Sequence, residues 1–217
     1  MTHWQGKGNM RRHATIVKVC GMRDGDNIRM VEQAHPDMMG FVCWQGSRRN
    51  VTTRPTHLPA CLRVGVFVNP TLQQVVAAGK MLRLDYIQLH GNETPALCSV
   101  IKHATGLRLI KAISVDDTAD IDKANSFQDV ADMLLFDTKC KCMGGSGTQF
   151  DWDILGSYHG PLPFLLSGGI GPGDEERVRR WNHPLCLGVD INSRFETSPA
   201  SKDAEEVKKF ISKIKEQ

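Results

Sequence analysis

No CxxC pair occurs in this 217-residue chain, and its seven cysteines are an odd number: Cys20, Cys43, Cys61, Cys98, Cys140, Cys142 and Cys186. Most lie in or beside apolar runs, so a disulfide framework is not expected and a reducing compartment, the cytoplasm, is favoured. Cys140 and Cys142 lack a second ligand pair at zinc spacing, which argues for loop thiols rather than a metal site. No apolar run approaches the ~18 residues of a membrane span. The start, residues 1–13, is polar and basic without an apolar stretch, so it reads as neither a secretory signal nor an anchor. A formal net charge of +3, from scattered basic residues, gives no argument for nucleic acid. No composition break or linker divides the chain.

What is present is a near-regular series of short apolar, β-branched-rich runs, at 15–19, 39–43, 62–68, 86–89, 108–112, 133–136, 163–166 and 186–189. Each is continuous rather than alternating, the pattern of strands buried on both faces. Helix-like segments separate them. In 72–82, Val75, Val76, Ala78, Gly79 and Leu82 can share one side, and 201–215 is charged and amphipathic, with Val207, Phe210, Ile211 and Ile214 on one face. Helix starts are expected around Asn69-Pro70-Thr71, at Asn92 and at Asp116-Asp117. The segment after the second run, with Pro55 and Pro59, predicts a short or irregular helix. Eight strands alternating with helices predict an α/β fold, a single (β/α)8 TIM barrel of the phosphate-binding type over 15–217, with 1–14 a polar lead-in expected to be disordered. A doubly wound sheet is the alternative.

Several runs end in chemistry, at the strand ends where α/β proteins bind small molecules. Lys18-Val19 leads into Cys20-Gly21-Met22, and Leu135-Phe136 into Asp137-Thr138. Ser167-Gly168-Gly169-Ile170 and Asp190-Ile191-Asn192-Ser193-Arg194 follow strands seven and eight, where barrels often hold a phosphate on backbone N–H groups. Gly144-Gly145-Ser146-Gly147, after strand six, can be a plain flexible loop or a backbone that approaches an anion closely. In Ser47-Arg48-Arg49-Asn50 a guanidinium can grip a carboxylate with two hydrogen bonds, although most arginine pairs are solvated surface. Gln88 and His90 share a face by alternation. A lone buried cysteine is usually inert and a lone strand-end aspartate a cap; their joint place on one rim suggests proton transfer.

As an ordered set, Lys18-Val19-Cys20-Gly21-Met22, Gln88-Leu89-His90-Gly91, Phe136-Asp137-Thr138, Gly144-Gly145-Ser146-Gly147 with Phe150-Asp151-Trp152, and Leu166-Ser167-Gly168-Gly169-Ile170 closely resemble the phosphoribosylanthranilate isomerase family of tryptophan biosynthesis, from about Thr15 to the terminal helix. The resemblance implies an Amadori rearrangement of N-(5-phosphoribosyl)anthranilate to 1-(2-carboxyphenylamino)-1-deoxyribulose 5-phosphate, with no metal or organic cofactor. It makes Cys20 the general base, Asp137 the general acid and Arg49 the partner of the anthranilate carboxylate. Gln88, His90 and Asp190 become further substrate contacts, and Gly145, Gly168, Gly169, Asn192, Ser193 and Arg194 the phosphate contacts. The partner implied is a small phosphorylated sugar, not nucleic acid or membrane, bound by a monomer or homodimer. One departure stands out: the family's Asp-Val-Ser-Ser-Gly-Val-Glu is here Asp190-Ile191-Asn192-Ser193-Arg194-Phe195-Glu196, so the backbone after strand eight is expected to differ where a glycine is lost.

The implied chemistry requires a protonated Asp137 and a Cys20 thiolate, whereas the free groups titrate near ~3.9 and ~8.5, so both are expected to move toward neutrality. Two other functions fit parts of the pattern. The related histidine-biosynthesis isomerase uses aspartates after strands one and five, where this chain has Cys20 and Lys111-Ala112-Ile113. A catalytically silent phosphate-binding barrel is helped only by the altered Asn192-Ser193-Arg194 loop.

Overall fold

The computed structural model describes residues 15–138 and 152–216. The expected lead-in 1–14, the Cys140 and Cys142 thiols and the Gly145 segment lie outside the described residues. Eight parallel strands, β1 (Ile16–Val19), β2 (Met38–Val42), β3 (Leu62–Phe67), β4 (Tyr86–Leu89), β5 (Arg108–Val115), β6 (Met133–Thr138), β7 (Phe164–Ser167) and β8 (Cys186–Ile191), close into a barrel in sequence order. The doubly wound alternative is thereby set aside. Helices α1 (Gly25–Glu32), α2 (Leu72–Leu82), α3 (Pro95–Thr105), α4 (Thr118–Lys123), α5 (Glu175–Arg180) and α6 (Ala204–Lys215) stand between or after the strands.

The alternation of strand side chains divides the core in two. Val17 and Val19 of β1 face outward into the layer shared with the helices, together with Phe41, Ile87, Leu134 and Phe164. Ile16 packs against the inward layer, where Met38, Val64, Tyr86, Ile110, Met133 and Leu165 fill the barrel. Above that apolar plug Cys20 meets Val42 and Val66. The period of two therefore stacks Ile16, Lys18 and Cys20 along the interior, apolar at the bottom and reactive at the top. α6 buries Val207, Phe210, Ile211 and Ile214, the face the sequence predicts.

One helix start falls where expected and one is displaced. The α2 cap is Thr71, whose hydroxyl accepts from Gln74 N–H in a capping box, and α3 is capped by Thr94 with Pro95 in its first turn. Asn92 caps nothing: its N–H donates to the Asn69 side chain, holding two loops together. Asp117 caps α4 as expected. No α-helix forms between β2 and β3, which extends the expected irregularity. That stretch is pinned instead by Glu32, which accepts from Ala60 N–H and pairs with His57. The C-terminal charged segment also begins differently, since residues of 201–203 do not join the helix. A small antiparallel hairpin, β9 (Glu196–Ser198) and β10 (Ser201–Lys202), precedes α6.

Candidate active site

A cavity of about 360 Å³ opens at the carboxyl ends of the strands. Cys20, Arg49, Gln88, His90, Asp137, Gly168, Gly169, Asp190, Asn192 and Ser193 all line it, joined by Val42, Trp44, Ser47 and Val66. Of the candidates read from sequence, only Arg194 lies off this wall among the described residues.

Cys20 continues β1 by one residue, its N–H donating to Ile191 O at 2.9 Å. The register of β1 on β8 sets Lys18 opposite Asp190, and the buried Lys18 Nζ donates to Asp190 Oδ1 at 2.8 Å. Gly40 gives the thiol its room: a Cβ there would stand 2.7 Å from Cys20 Sγ and 3.2 Å from Lys18 Nζ. Burial pushes the Cys20 thiol up, and Lys18 and Lys202 oppose that while Asp190 adds to it. The expected downward shift is thus not met, because desolvation of the thiolate outweighs two nearby ammonium groups. Burial also raises the Asp190 carboxyl, against the pull of Lys18, with Asp137 adding to the rise. Lys18 stays above its ordinary range because Asp190 and Cys20 outweigh its desolvation.

Across the cavity a chain of polar contacts runs along β4 to β6. Gln88 Nε2 lies 3.1 Å from His90 Nδ1, and His90 Nε2 lies 3.1 Å from Asp137 Oδ2. With an amide N–H facing Nδ1, that ring nitrogen accepts, which leaves Nε2 to donate to Asp137. Gln88 Oε1 is buried without a hydrogen-bond partner among the described residues. The His90 loop is braced from below. Glu93 accepts from the N–H groups of Asn69 and Gly91, while Lys111 Nζ reaches Glu93 at 2.9 Å and the carbonyls of Leu89 and Gly91. This buried pair is well satisfied, so it fixes the loop rather than leaving a bare charge.

On the β2 side, Arg49 forms a two-pronged pair with Glu196, Nε to Oε1 at 2.8 Å and Nη2 to Oε2 at 2.6 Å. Lys202 Nζ joins the same Glu196 and the Asn192 side chain, each at 2.7 Å. Gly21 is required twice here. Its φ of +81° belongs to the left-handed region, and a Cβ would stand 2.6 Å from Asn192 Oδ1 and 2.8 Å from Arg49 Cδ. The Arg49 and Lys202 cations hold the Glu196 carboxyl at about 2, despite its desolvation.

A stability prediction follows from that depression. An unfolded glutamate titrates near ~4.3, so the contribution of Glu196 is complete above that value and disappears as pH falls through the folded value. Thermal melts between neutral pH and about pH 2 are expected to fall more steeply for the wild type than for Glu196→Gln. Parallel slopes would show that the cluster contributes nothing to acid stability.

Gly168 and Gly169 follow β7 with φ of +99° and +66°, and Asn192 and Ser193 follow β8. Residues Ser193–Phe195 form a right-handed 3-10 turn, a conformation open to any side chain at Arg194. Arg194 turns away from the cavity. Its Nη1 donates to Gly169 O at 2.8 Å and lies 3.4 Å from Asp174 Oδ2, tying the β8 loop to the β7 loop.

Sequence reasoning did not single out Lys18, Glu196 or Lys202. Lys18 had a usable signal: a lone lysine inside a continuous apolar strand must find a buried anion. Glu196 had one too, as the glutamate that closes the family's Asp-Val-Ser-Ser-Gly-Val-Glu run, whereas Lys202 had none, because only the hairpin fold brings it over β1.

A family model described as "N-(5'phosphoribosyl)anthranilate (PRA) isomerase" matches residues 17–213. The N-(5'-phosphoribosyl)anthranilate isomerase of Phocaeicola vulgatus is 46% identical, over 93% of this chain and 98% of its own length. That of Parabacteroides distasonis is 42% identical, over 92% and 93%. Among solved structures, the Thermotoga maritima phosphoribosyl anthranilate isomerase superposes with a TM-score of 0.77 at 30% identity, covering 93% of this chain and 98% of that one. Another phosphoribosyl anthranilate isomerase, solved with reduced 1-(o-carboxyphenylamino)-1-deoxyribulose 5-phosphate, gives 0.75 at 27% identity, covering 93% and 98%.

Proposed function

This chain belongs to the N-(5'-phosphoribosyl)anthranilate isomerase family, and on that premise we propose how its cavity carries out the family's Amadori rearrangement in tryptophan biosynthesis. The observation that carries the proposal is that Cys20 and Asp137, from β1 and β6, line one cavity with Arg49 and the two glycine- and serine-bearing loops. The order around the rim matches the substrate. The loops after β7 and β8 take the phosphate, through Gly168, Gly169, Asn192 and Ser193. Cys20 and Asp137 flank the ribose, and Arg49, on the far side of β1, takes the anthranilate carboxylate. Arg194 acts on the phosphate only through the loop it ties, and Gly145 is proposed as a further phosphate contact.

Asp137, as the carboxylic acid, gives its proton to the furanose ring oxygen as the C1–O bond breaks and the nitrogen lone pair forms the C1 iminium. The Cys20 thiolate then takes the C2 proton, and its electron pair neutralises the iminium to give an enolamine. Transfer of the C2 hydroxyl proton to C1 yields the aminoketose, so no redox partner is consumed. Lys18, beside the thiol, stabilises the anion that this step needs. His90 holds the Asp137 carboxyl in place, and Asp190 and Gln88 are proposed to meet the ribose hydroxyls. The buried Gln88 Oε1, without a partner among the described residues, is an acceptor suited to one of them.

We place the enzyme in a reducing cytoplasm, which suits the free thiols Cys20, Cys43, Cys61, Cys98 and Cys186. A monomer or a homodimer is the assembly we propose, since the Thermotoga maritima phosphoribosylanthranilate isomerase is described as dimeric and has also been solved as generated monomers. No helix among the described residues is long and apolar enough to cross a membrane.

Arg49→Ala tests the carboxylate assignment. Loss of a charge-assisted pair, ~1.5–3 kcal/mol, is expected to raise KM by ~10-fold or more while kcat changes far less. Steady-state kinetics with an unchanged KM would remove Arg49 from substrate binding.

A further inference from the structure

We propose that Glu196, supported by Lys202, is a positioning residue that holds Arg49 ready for the substrate carboxylate, an inference that rests on the assignment of Arg49 made above. Arg49 comes from the stretch between β2 and β3 that has no helix to fix it, and an arginine side chain loses much rotamer freedom when it is ordered. Glu196 supplies that order before substrate arrives. It engages Nε and Nη2, which leaves Nη1 and a second Nη2 hydrogen for an incoming carboxylate.

Lys202 answers an electrostatic difficulty. An Arg49–Glu196 pair alone is formally neutral and would attract an anion weakly. The Lys202 ammonium, with a fully buried side chain, adds a second cation to the same carboxylate and leaves the cluster with one net positive charge. Its own place is rigid. Lys202 N–H donates to Asn27 Oδ1 and Lys202 O accepts from Asn27 Nδ2, both at 2.8 Å, so α1 fixes the hairpin that carries both residues. Ala200 N–H also donates to Glu196 Oε1, at 3.1 Å. The β9–β10 hairpin thus reaches over the end of β1 to set the geometry of a residue from the β2 side.

The test is a kinetic cycle on the whole chain: wild type, Arg49→Ala, Glu196→Gln and the double variant. Each is assayed with N-(5-phosphoribosyl)anthranilate and with N-(5-phosphoribosyl)aniline, which lacks the carboxylate. Glu196→Gln is expected to raise KM for the natural substrate by ~10-fold with kcat within ~3-fold, and to add nothing in the Arg49→Ala background. It should leave KM for the aniline analogue unchanged, and Glu196→Asp should recover part of the loss. Melting curves verify that each variant is folded. Equal losses for both substrates, or full additivity with Arg49→Ala, overturn the inference in favour of a merely structural Glu196. A normal KM in Glu196→Gln beside a raised KM in Arg49→Ala overturns it too, while sparing the Arg49 assignment. A normal KM in Arg49→Ala instead defeats that assignment, and this inference with it.

Discussion

Cys20→Ala is expected to lower kcat by ~10²-fold or more without unfolding the barrel. The substitution deletes only the sulfur and leaves β1 paired to β8, the Lys18–Asp190 ion pair and the Gly40 notch as they were. Asp190, another carboxylate of the cavity, is committed to Lys18. The pH dependence carries a second signature. A base acts only when deprotonated, and burial pushes this thiol up. Because the same turnover needs Asp137 protonated, the wild-type rate should be bell-shaped in pH, with the limb that reports the thiol displaced beyond the ordinary cysteine range near ~8.5. That limb should be absent from the residual rate of Cys20→Ala. Turnover followed by the loss of substrate fluorescence, beside a melting curve, measures both; a variant within a few-fold of wild type would take the base role from Cys20.

The second large effect is expected at Asp137. Asparagine keeps the size of the side chain and an oxygen to accept from His90 Nε2, which lies 3.1 Å from the carboxylate. It cannot deliver a carboxylic proton to the ribose oxygen. Asp137→Asn should therefore lose ~10²-fold or more in kcat with KM changed little, the pattern of a group needed in the transition state. If KM rises instead while kcat holds, Asp137 binds substrate rather than donating to it. His90→Ala would separate the two functions further, since it removes the holder and leaves the acid.

Most of the barrel was legible because its strands obey one simple rule. Strands buried on both faces cannot alternate, so 86–89 and 133–136 stand out as unbroken apolar runs, and the structure sets their bounds within a few residues. Candidate residues at strand ends were legible for the same reason: Cys20, Asp137 and Asp190 follow directly from where a run stops, and Gln88 closes one. The misses share a different cause. Glu196 closes a family run but its partners, Arg49 and Lys202, meet it only when a two-stranded hairpin closes over β1, a long-range event with no local periodicity. Asn92 looks like a cap in sequence, yet Thr94 wins because Pro95 fits the first helical turn and cannot precede it. Arg194 carries the charge expected of a phosphate ligand, and its guanidinium meets the Gly169 carbonyl and the Asp174 carboxylate of the neighbouring loop. The direction of the Cys20 shift likewise depends on depth of burial, which composition does not reveal.

The measurement that bears most directly on the account is a crystal structure of this protein with a reduced, ring-opened product analogue. Cys20 Sγ should lie within roughly 3–3.5 Å of C2, in position to take its proton. A carboxyl oxygen of Asp137 should lie about 2.6–3.2 Å from the hydroxyl that was the ring oxygen. A ligand whose sugar touches only one of the two groups, or lies clear of both with its phosphate elsewhere, would contradict the mechanism.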